Sequence, residues 1–249
     1  MKFVKISSAL LIFAAIVAGS PAAQAVCTNA SLKGVYGILS VGLNNASRPE
    51  ASIDQIIADG AGHLTGSSTK STNGTITTFT FTGTYTVASN CTGTTTFTHA
   101  GQVEHDNFVL NNANLGAFLV QTDSGHTQSS VAVAEGTATC TDLGVKHAFA
   151  FRANGAVIGI GQVAYVGRLV LNGTGKISGT ATVSQDGVIT SSFPLTGTYQ
   201  IKANCTGSVV ITGSGLPSMN ANLVVVNGGR ELMVIETDAN TIISGLLQM

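Results

Sequence analysis

Charge is scarce in this chain. Of 249 residues, 11 are Lys or Arg and 12 are Asp or Glu, 9% together. That leaves no cluster of cations to grip a nucleic acid, and no polybasic patch to hold an anionic membrane surface. Tryptophan is absent, so a broad platform for stacking sugars is not expected. Past the N-terminal segment, no stretch approaches the ~18 consecutive apolar residues of a spanning helix. Aromatic girdles are missing as well, so stable membrane insertion as a β-barrel is not expected. Sequence signatures of catalysis are lacking: there is no G-x-S-x-G elbow, no H-E-x-x-H helix and no phosphate-binding loop. Gly159-Ile160-Gly161 has part of a dinucleotide fingerprint but not its third glycine. No catalytic residue, metal ligand or cofactor is therefore assigned. Disorder is excluded in turn, because 44% of residues are hydrophobic.

What is present begins with an export signal. Lys2 and Lys5 precede the mostly apolar run Ile6 to Gly19, Pro21 breaks it, and Ala23-Gln24-Ala25 forms a small-x-small cleavage site. Residues 1–25 read as a signal peptide. The mature chain is then expected outside the cytoplasm, in a periplasm or beyond the cell. Val26 directly before Cys27 argues against a lipid anchor at that cysteine.

The main feature is an internal repeat. Cys27-Thr28 recurs as Cys140-Thr141, and Asp59-Gly60-Ala61-Gly62-His63-Leu64-Thr65-Gly66 as Asn172-Gly173-Thr174-Gly175-Lys176-Ile177-Ser178-Gly179. Thr82-Gly83-Thr84-Tyr85 recurs as Thr196-Gly197-Thr198-Tyr199, and Asn90-Cys91-Thr92-Gly93 as Asn204-Cys205-Thr206-Gly207. Leu119-Val120-Gln121-Thr122-Asp123 matches Val234-Ile235-Glu236-Thr237-Asp238. Five blocks in one order define two units, 26–139 and 140–249, with no Pro- or Ser-rich linker between them.

Within a unit the pattern is that of strands. Phe79, Phe81, Gly83, Tyr85 and Val87 alternate with threonines at 78, 80, 82, 84 and 86, a period of two with an apolar face and a threonine face. Asp59-Gly60 and Asn172-Gly173 are hairpin-turn signals. Ile53, Ile56 and Ile57 would also fit a helical stripe, but their repeat partner Val166-Gly167-Arg168-Leu169-Val170-Leu171 favours strand in both copies. Pro194 aligns with Thr80 inside the clearest strand, which requires a sheet edge or a bulge there. The count is roughly eight short strands per unit.

Four cysteines in an exported chain suggest two disulfides. The repeat favours Cys27–Cys91 and Cys140–Cys205. A zinc site would bring cysteines in close pairs, and none occur.

Candidate site residues are few. In a small barrel, inward aromatics fill the core or line a cavity. Tyr36 and its counterpart Phe149, with Tyr85 and its counterpart Tyr199, are the cavity candidates. His99, Glu104, His105 and Asp106 lie close in sequence and would suit a metal or acid–base chemistry, but the second copy has no histidine or acid there, which favours a polar loop. Asp123 and Asp238 recur with their surroundings, as turn residues bonding local backbone would.

The blocks Asp59-Gly60-x-Gly62-x-Leu64-x-Gly66, Thr82-Gly83-Thr84-Tyr85-x-Val87 and Asn90-Cys91-Thr92-Gly93 resemble those of exported bacterial proteins of unknown function that look like small β-barrels of the calycin or allene-oxide-cyclase type. The resemblance covers most of each unit and implies a fold; its motifs are turns and strands and carry no chemistry. The expected architecture is all-β: two tandem antiparallel up-and-down β-barrels, with two β-sandwiches as the alternative. The leading functional expectation is a module binding a small, largely apolar ligand. A structural or cell-surface protein without ligand is the alternative, and a barrel enzyme of isomerase or cyclase type is the third reading.

Overall fold

A computed structural model describes residues 26–111, 115–137, 140–213 and 218–249; the expected signal peptide lies outside them. The first eight strands are β1 (Lys33–Leu43), β2 (Pro49–Asp59), β3 (His63–Thr72), β4 (Thr75–Val87), β5 (Thr92–His99), β6 (Gln102–Leu110), β7 (Gly116–Gln121) and β8 (Thr127–Ala134). The next eight are β9 (Ala148–Val157), β10 (Gly161–Leu171), β11 (Lys176–Gln185), β12 (Val188–Ile201), β13 (Thr206–Gly213), β14 (Met219–Val226), β15 (Glu231–Glu236) and β16 (Thr241–Gln248). Each set closes into an eight-stranded barrel in which chain neighbours pair antiparallel and the last strand returns to the first. Here these are barrel 1 and barrel 2. Closure leaves no unpaired sheet edge within either. The two-barrel expectation holds, and the sandwich alternative does not.

Strand alternation sorts the side chains. On β1, Tyr36, Ile38 and Ser40 face the barrel interior, while Gly37 and Leu39 face outward. Ile53, Ile56 and Ile57 lie on β2 as the repeat required; Ile56 is in the core and Ile57 is exposed. Pro194 pairs in register with Thr180, but the β11–β12 ladder shifts between Ala181 and Val183. The extra residue falls on β12 beside Ser192, whose φ is 55°. A bulge two residues before the proline thus absorbs the irregularity.

The disulfides are Cys27–Cys91 and Cys140–Cys205, the repeat-related pairs, with sequence separations of 64 and 65. Each ties the segment before a barrel's first strand to a hairpin turn at the same end. Short 3₁₀ turns at Asn29–Leu32 and Leu143–Val145 lie across those ends and bury Leu32 and Val145.

The barrels share a third core. Ala51 and Ile53 of β2 meet Val224 and Val226 of β14 and Met233 and Ile235 of β15. Gly37 makes this approach possible: a Cβ there would come within 2.6 Å of the Val226 Cγ1. Polar contacts frame the seam. Ser71 Oγ donates to the Thr241 carbonyl (2.6 Å), and Asn222 Nδ2 donates to Thr69 Oγ1 (3.0 Å). The backbone N–H of Gly228 donates to the Glu135 carbonyl (2.8 Å).

Candidate functional site

The two closed ends are built alike. Tyr85 Oη accepts the Gly60 N–H (2.8 Å) of the Asp59-Gly60 turn and shares its proton between the Asn29 and Leu32 carbonyls (3.1 and 3.2 Å). Tyr199 Oη accepts the Gly173 N–H (2.9 Å) and donates to the Asp142 carbonyl (3.0 Å). Asn29 Oδ1 receives the Val87 N–H, and Asp142 Oδ1 that of Ile201. Tyr36 and Phe149 are buried beside these plugs, at 2% and 0% exposure. Thus Tyr36, Tyr85, Phe149 and Tyr199 pack the closed ends, and none lines the cavity described below.

Toward the open end the barrels diverge. Barrel 1 carries a charged interior. Lys70 Nζ on β3 lies 3.0 Å from Glu50 Oε2 on β2 and 3.6 Å from Glu104 Oε1 on β6. Thr72 and Asn44 donate to Glu50 Oε1, Ser52 donates to Asp54, and Thr95 donates to Asp106. Burial pushes Asp54 and Asp106 up to about 6, against the bonds from Ser68 and Ser52 to the first and Thr95 to the second. Burial alone would lower the Lys70 ammonium, yet Glu104 and Glu50 hold it above its usual range. Gln121, 7% exposed and next to Asp106 in the β6–β7 register, gives Nε2–H to Asp123 (3.3 Å), while its Oε1 is buried without a partner.

Strand register equates these positions with positions in barrel 2. Ser52 pairs with Lys70, and Tyr165 pairs with Val183. Thr95 pairs with Asp106 and that with Gln121; Val209 pairs with Ala221 and that with Glu236. Glu50, Lys70 and Glu104 are accordingly replaced by Val163, Val183 and Met219, and Asp106 by Ala221. Asp54 gives way to Gly167, against which Phe151 lies. At the Gln121 position barrel 2 has Glu236.

The result is an apolar cavity of ≈ 90 Å³ inside barrel 2. Its walls include Phe151, Phe193, Leu195, Val209, Ala221 and Leu223. A space of that size with apolar walls holds several water-sized spheres but offers water few partners. Tyr165 and Glu236 also line it. Burial, reinforced by Asp238, pushes the Glu236 carboxyl up to about 7, and no hydrogen bond from a described residue holds it. Burial and then the nearby Glu236 raise the Tyr165 phenol. Two wider hollows lie outside the barrel interiors, one of ≈ 450 Å³ on the outer face of barrel 1 and one of ≈ 380 Å³ between the barrels, where Ile53 and Ser67 face Asn222 and Val224. Both are open grooves with mixed polar and apolar walls, and Ser67 and Thr80 line each.

Asp123 and Asp238 have one repeated role, wider than a local turn. Asp123 accepts the His105 N–H and binds His105 Nδ1, both at 2.8 Å. Asp238 accepts the Asn220 N–H and Nδ2–H, both at 2.7 Å. Each clamps its loop to the start of a neighbouring strand. The histidine–acid cluster is divided: Glu104 and Asp106 face into barrel 1, His105 faces out, and His99 stacks on Phe79 with its ring 4.0 Å away. Among the described residues no group of His, Cys, Asp and Glu is arranged to hold a metal ion.

No protein-family model matches this chain, and no curated protein shows significant similarity to it. Two disulfides fit an oxidising environment, and no helix among the described residues is long and apolar enough to cross a membrane. Sequence reasoning missed the cavity residues, because strand register is what fixes which positions point inward. Phe151, Tyr165, Phe193, Val209 and Glu236 occupy inward positions where the first copy has another residue or another environment. A comparison of the repeats by inward position, rather than by shared residues, would have exposed them.

Proposed function

We propose that this is an exported carrier or binding module for a small, largely apolar ligand, held inside barrel 2. One observation carries the reading: the ≈ 90 Å³ apolar cavity within a closed barrel that has been cleared of the charges its twin retains. Burying an apolar group against the hydrocarbon walls there removes it from water, a gain of roughly 25 cal/mol for each Å² covered. The signal-like N-terminus and the disulfides support a periplasmic or extracellular site of action. The calycin-like character suggested by the repeat blocks supports the same kind of activity. Barrel 1 then serves as a rigid partner through the shared core around Ile53 and Val226.

The test is native mass spectrometry of the mature protein from an oxidising compartment of its own host, repeated after denaturation. An extra mass lost on denaturation identifies a ligand and its class. A bare mass, together with failure of small hydrocarbons to raise the unfolding temperature, would sink the reading in favour of a structural module.

A further inference from the structure

Glu236 is the feature of the cavity that hydrocarbon binding leaves unexplained. It lies on the inward face of β15 with Leu232 and Val234, and all three line the cavity. A carboxyl in such walls is costly unless something bonds it. Neither an ion pair nor a hydrogen bond from a described residue does so. The charged and titratable groups around it are Tyr165 on β10, Asp238 beyond β15 and Arg152 on β9. Arg152 alternates with the inward Phe151 and Ala153, so its side chain is directed outward, and it is exposed. The local field is therefore negative, and an anionic head group is disfavoured.

Barrel 1 displays the missing partner. There an ammonium, Lys70 Nζ, sits inside the barrel between Glu50 and Glu104. Its register equivalent in barrel 2 is Val183. The repeat equivalent of Glu236, Gln121, presents a buried acceptor without a donor, whereas Glu236 is half-buried and opens onto the cavity. Barrel 2 has thus lost the tethered cation together with the two carboxylates that held it, and Glu236 is the carboxylate left at its cavity. We infer that the barrel 2 cavity selects a small lipophilic amine, with its hydrocarbon part among Phe151, Phe193, Leu195 and Val209 and its ammonium on the Glu236 carboxylate. This rests on the ligand-binding reading above and names the class of ligand.

Four probes of one shape separate the two claims: toluene, benzyl alcohol, benzylamine and benzoate, titrated calorimetrically into the mature, disulfide-bonded protein. At about pH 8, above the Glu236 range, benzylamine binds at least about tenfold more tightly than toluene, the size of a charge-assisted hydrogen bond. Benzoate binds most weakly. Lowering the pH to about 5.5 protonates Glu236 while the amine stays charged, and the preference for benzylamine over toluene collapses. Glu236→Gln removes the preference for benzylamine over toluene at both pH values. The wild-type pH titration decides the matter should that variant not fold. Toluene or benzyl alcohol binding as tightly as benzylamine, or benzoate binding best, overturns the amine assignment and leaves the carrier reading standing. Binding of none of the four overturns both.

Discussion

Barrel 1 and barrel 2 share their closed ends almost residue for residue and share almost nothing inside their mouths. At the closed ends, disulfide, 3₁₀ turn, tyrosine and glycine turn recur with hydrogen bonds between 2.8 and 3.2 Å. At the mouths, one interior is a network of carboxylates around Lys70 and the other is an apolar chamber with one acid. A closed sheet satisfies its own backbone, so its interior is free to change chemistry while the barrel persists. Duplication has thus separated the two tasks: the closed end holds the fold, and the mouth is where the copies differ.

The largest break in the comparison comes from the cysteines. Removing either bridge opens a loop of 64 or 65 residues, worth about 4 kcal/mol on the chain-entropy model. The replacements Cys27→Ser with Cys91→Ser, and Cys140→Ser with Cys205→Ser, should lower the urea midpoint greatly. Barrel 1 should suffer more, because charged residues occupy part of its interior while the buried apolar cluster of barrel 2 is the larger of the two. Equal losses would show that the barrels unfold as one unit through the seam.

Lys70→Met comes next. It leaves Glu50 and Glu104 facing each other without their cation, a loss of about 3 kcal/mol for a broken, largely buried pair. The reciprocal change in barrel 2, Val183→Lys, sets an ammonium on an apolar inward face where Val163 and Met219 stand in place of Glu50 and Glu104, and it should destabilise that barrel in the same thermal assay. Thermal unfolding should show Lys70→Met destabilised at neutral pH and partly rescued in acid, as Asp54 and Asp106 take up protons near pH 6. A melting temperature unchanged by Lys70→Met would remove the ammonium from the account of barrel 1.

A smaller effect separates the chambers by pH. Glu236 titrates near 7 in the folded chain, above its ordinary value, because burial disfavours its charge. Between its unfolded and folded values the native state binds the extra proton. The contribution to stability is therefore complete in acid and is lost as pH rises through about 7. Glu236→Gln should flatten that part of the profile and raise stability above pH 7 by on the order of 2 kcal/mol. A wild-type curve without this slope would mean that Glu236 is well solvated.

Much of this was legible in the sequence, for identifiable reasons. Period-two alternation around Phe79 to Val87, the glycine turns and the repeat together define strands, barrel number and cysteine pairing, because each is a local or duplicated signal. The aromatic candidates were chosen because they recur, and recurrence marked the shared closed ends instead. The tyrosine at 85 and 199 is common to both copies because both barrels need the same plug. The cavity depends on differences, Lys70 against Val183 and Asp106 against Ala221. Those become meaningful only once strand register shows that all of them point inward. The seam was also out of reach, since Gly37 reads as an ordinary strand glycine until Val226 is seen against it.

The smallest predicted effect tests the other half of the comparison, the sameness of the closed ends. Tyr85→Phe and Tyr199→Phe each delete one hydroxyl and leave the ring in place. Each strands a turn N–H, Gly60 in one barrel and Gly173 in the other, together with the carbonyls of the 3₁₀ segment. A lost bond of this kind costs about 1 kcal/mol, more where the stranded group stays dry. The two variants should therefore lose stability equally in urea titrations, and amide exchange at Gly60 and Gly173 should accelerate by similar factors. Neither should alter binding of any probe in the barrel 2 cavity, because Tyr199 is not part of its wall. Equal losses with unchanged binding would establish that the closed ends carry stability alone. A binding defect in Tyr199→Phe would show that the plug reaches the chamber and that the division between the two ends is less complete than the contacts indicate.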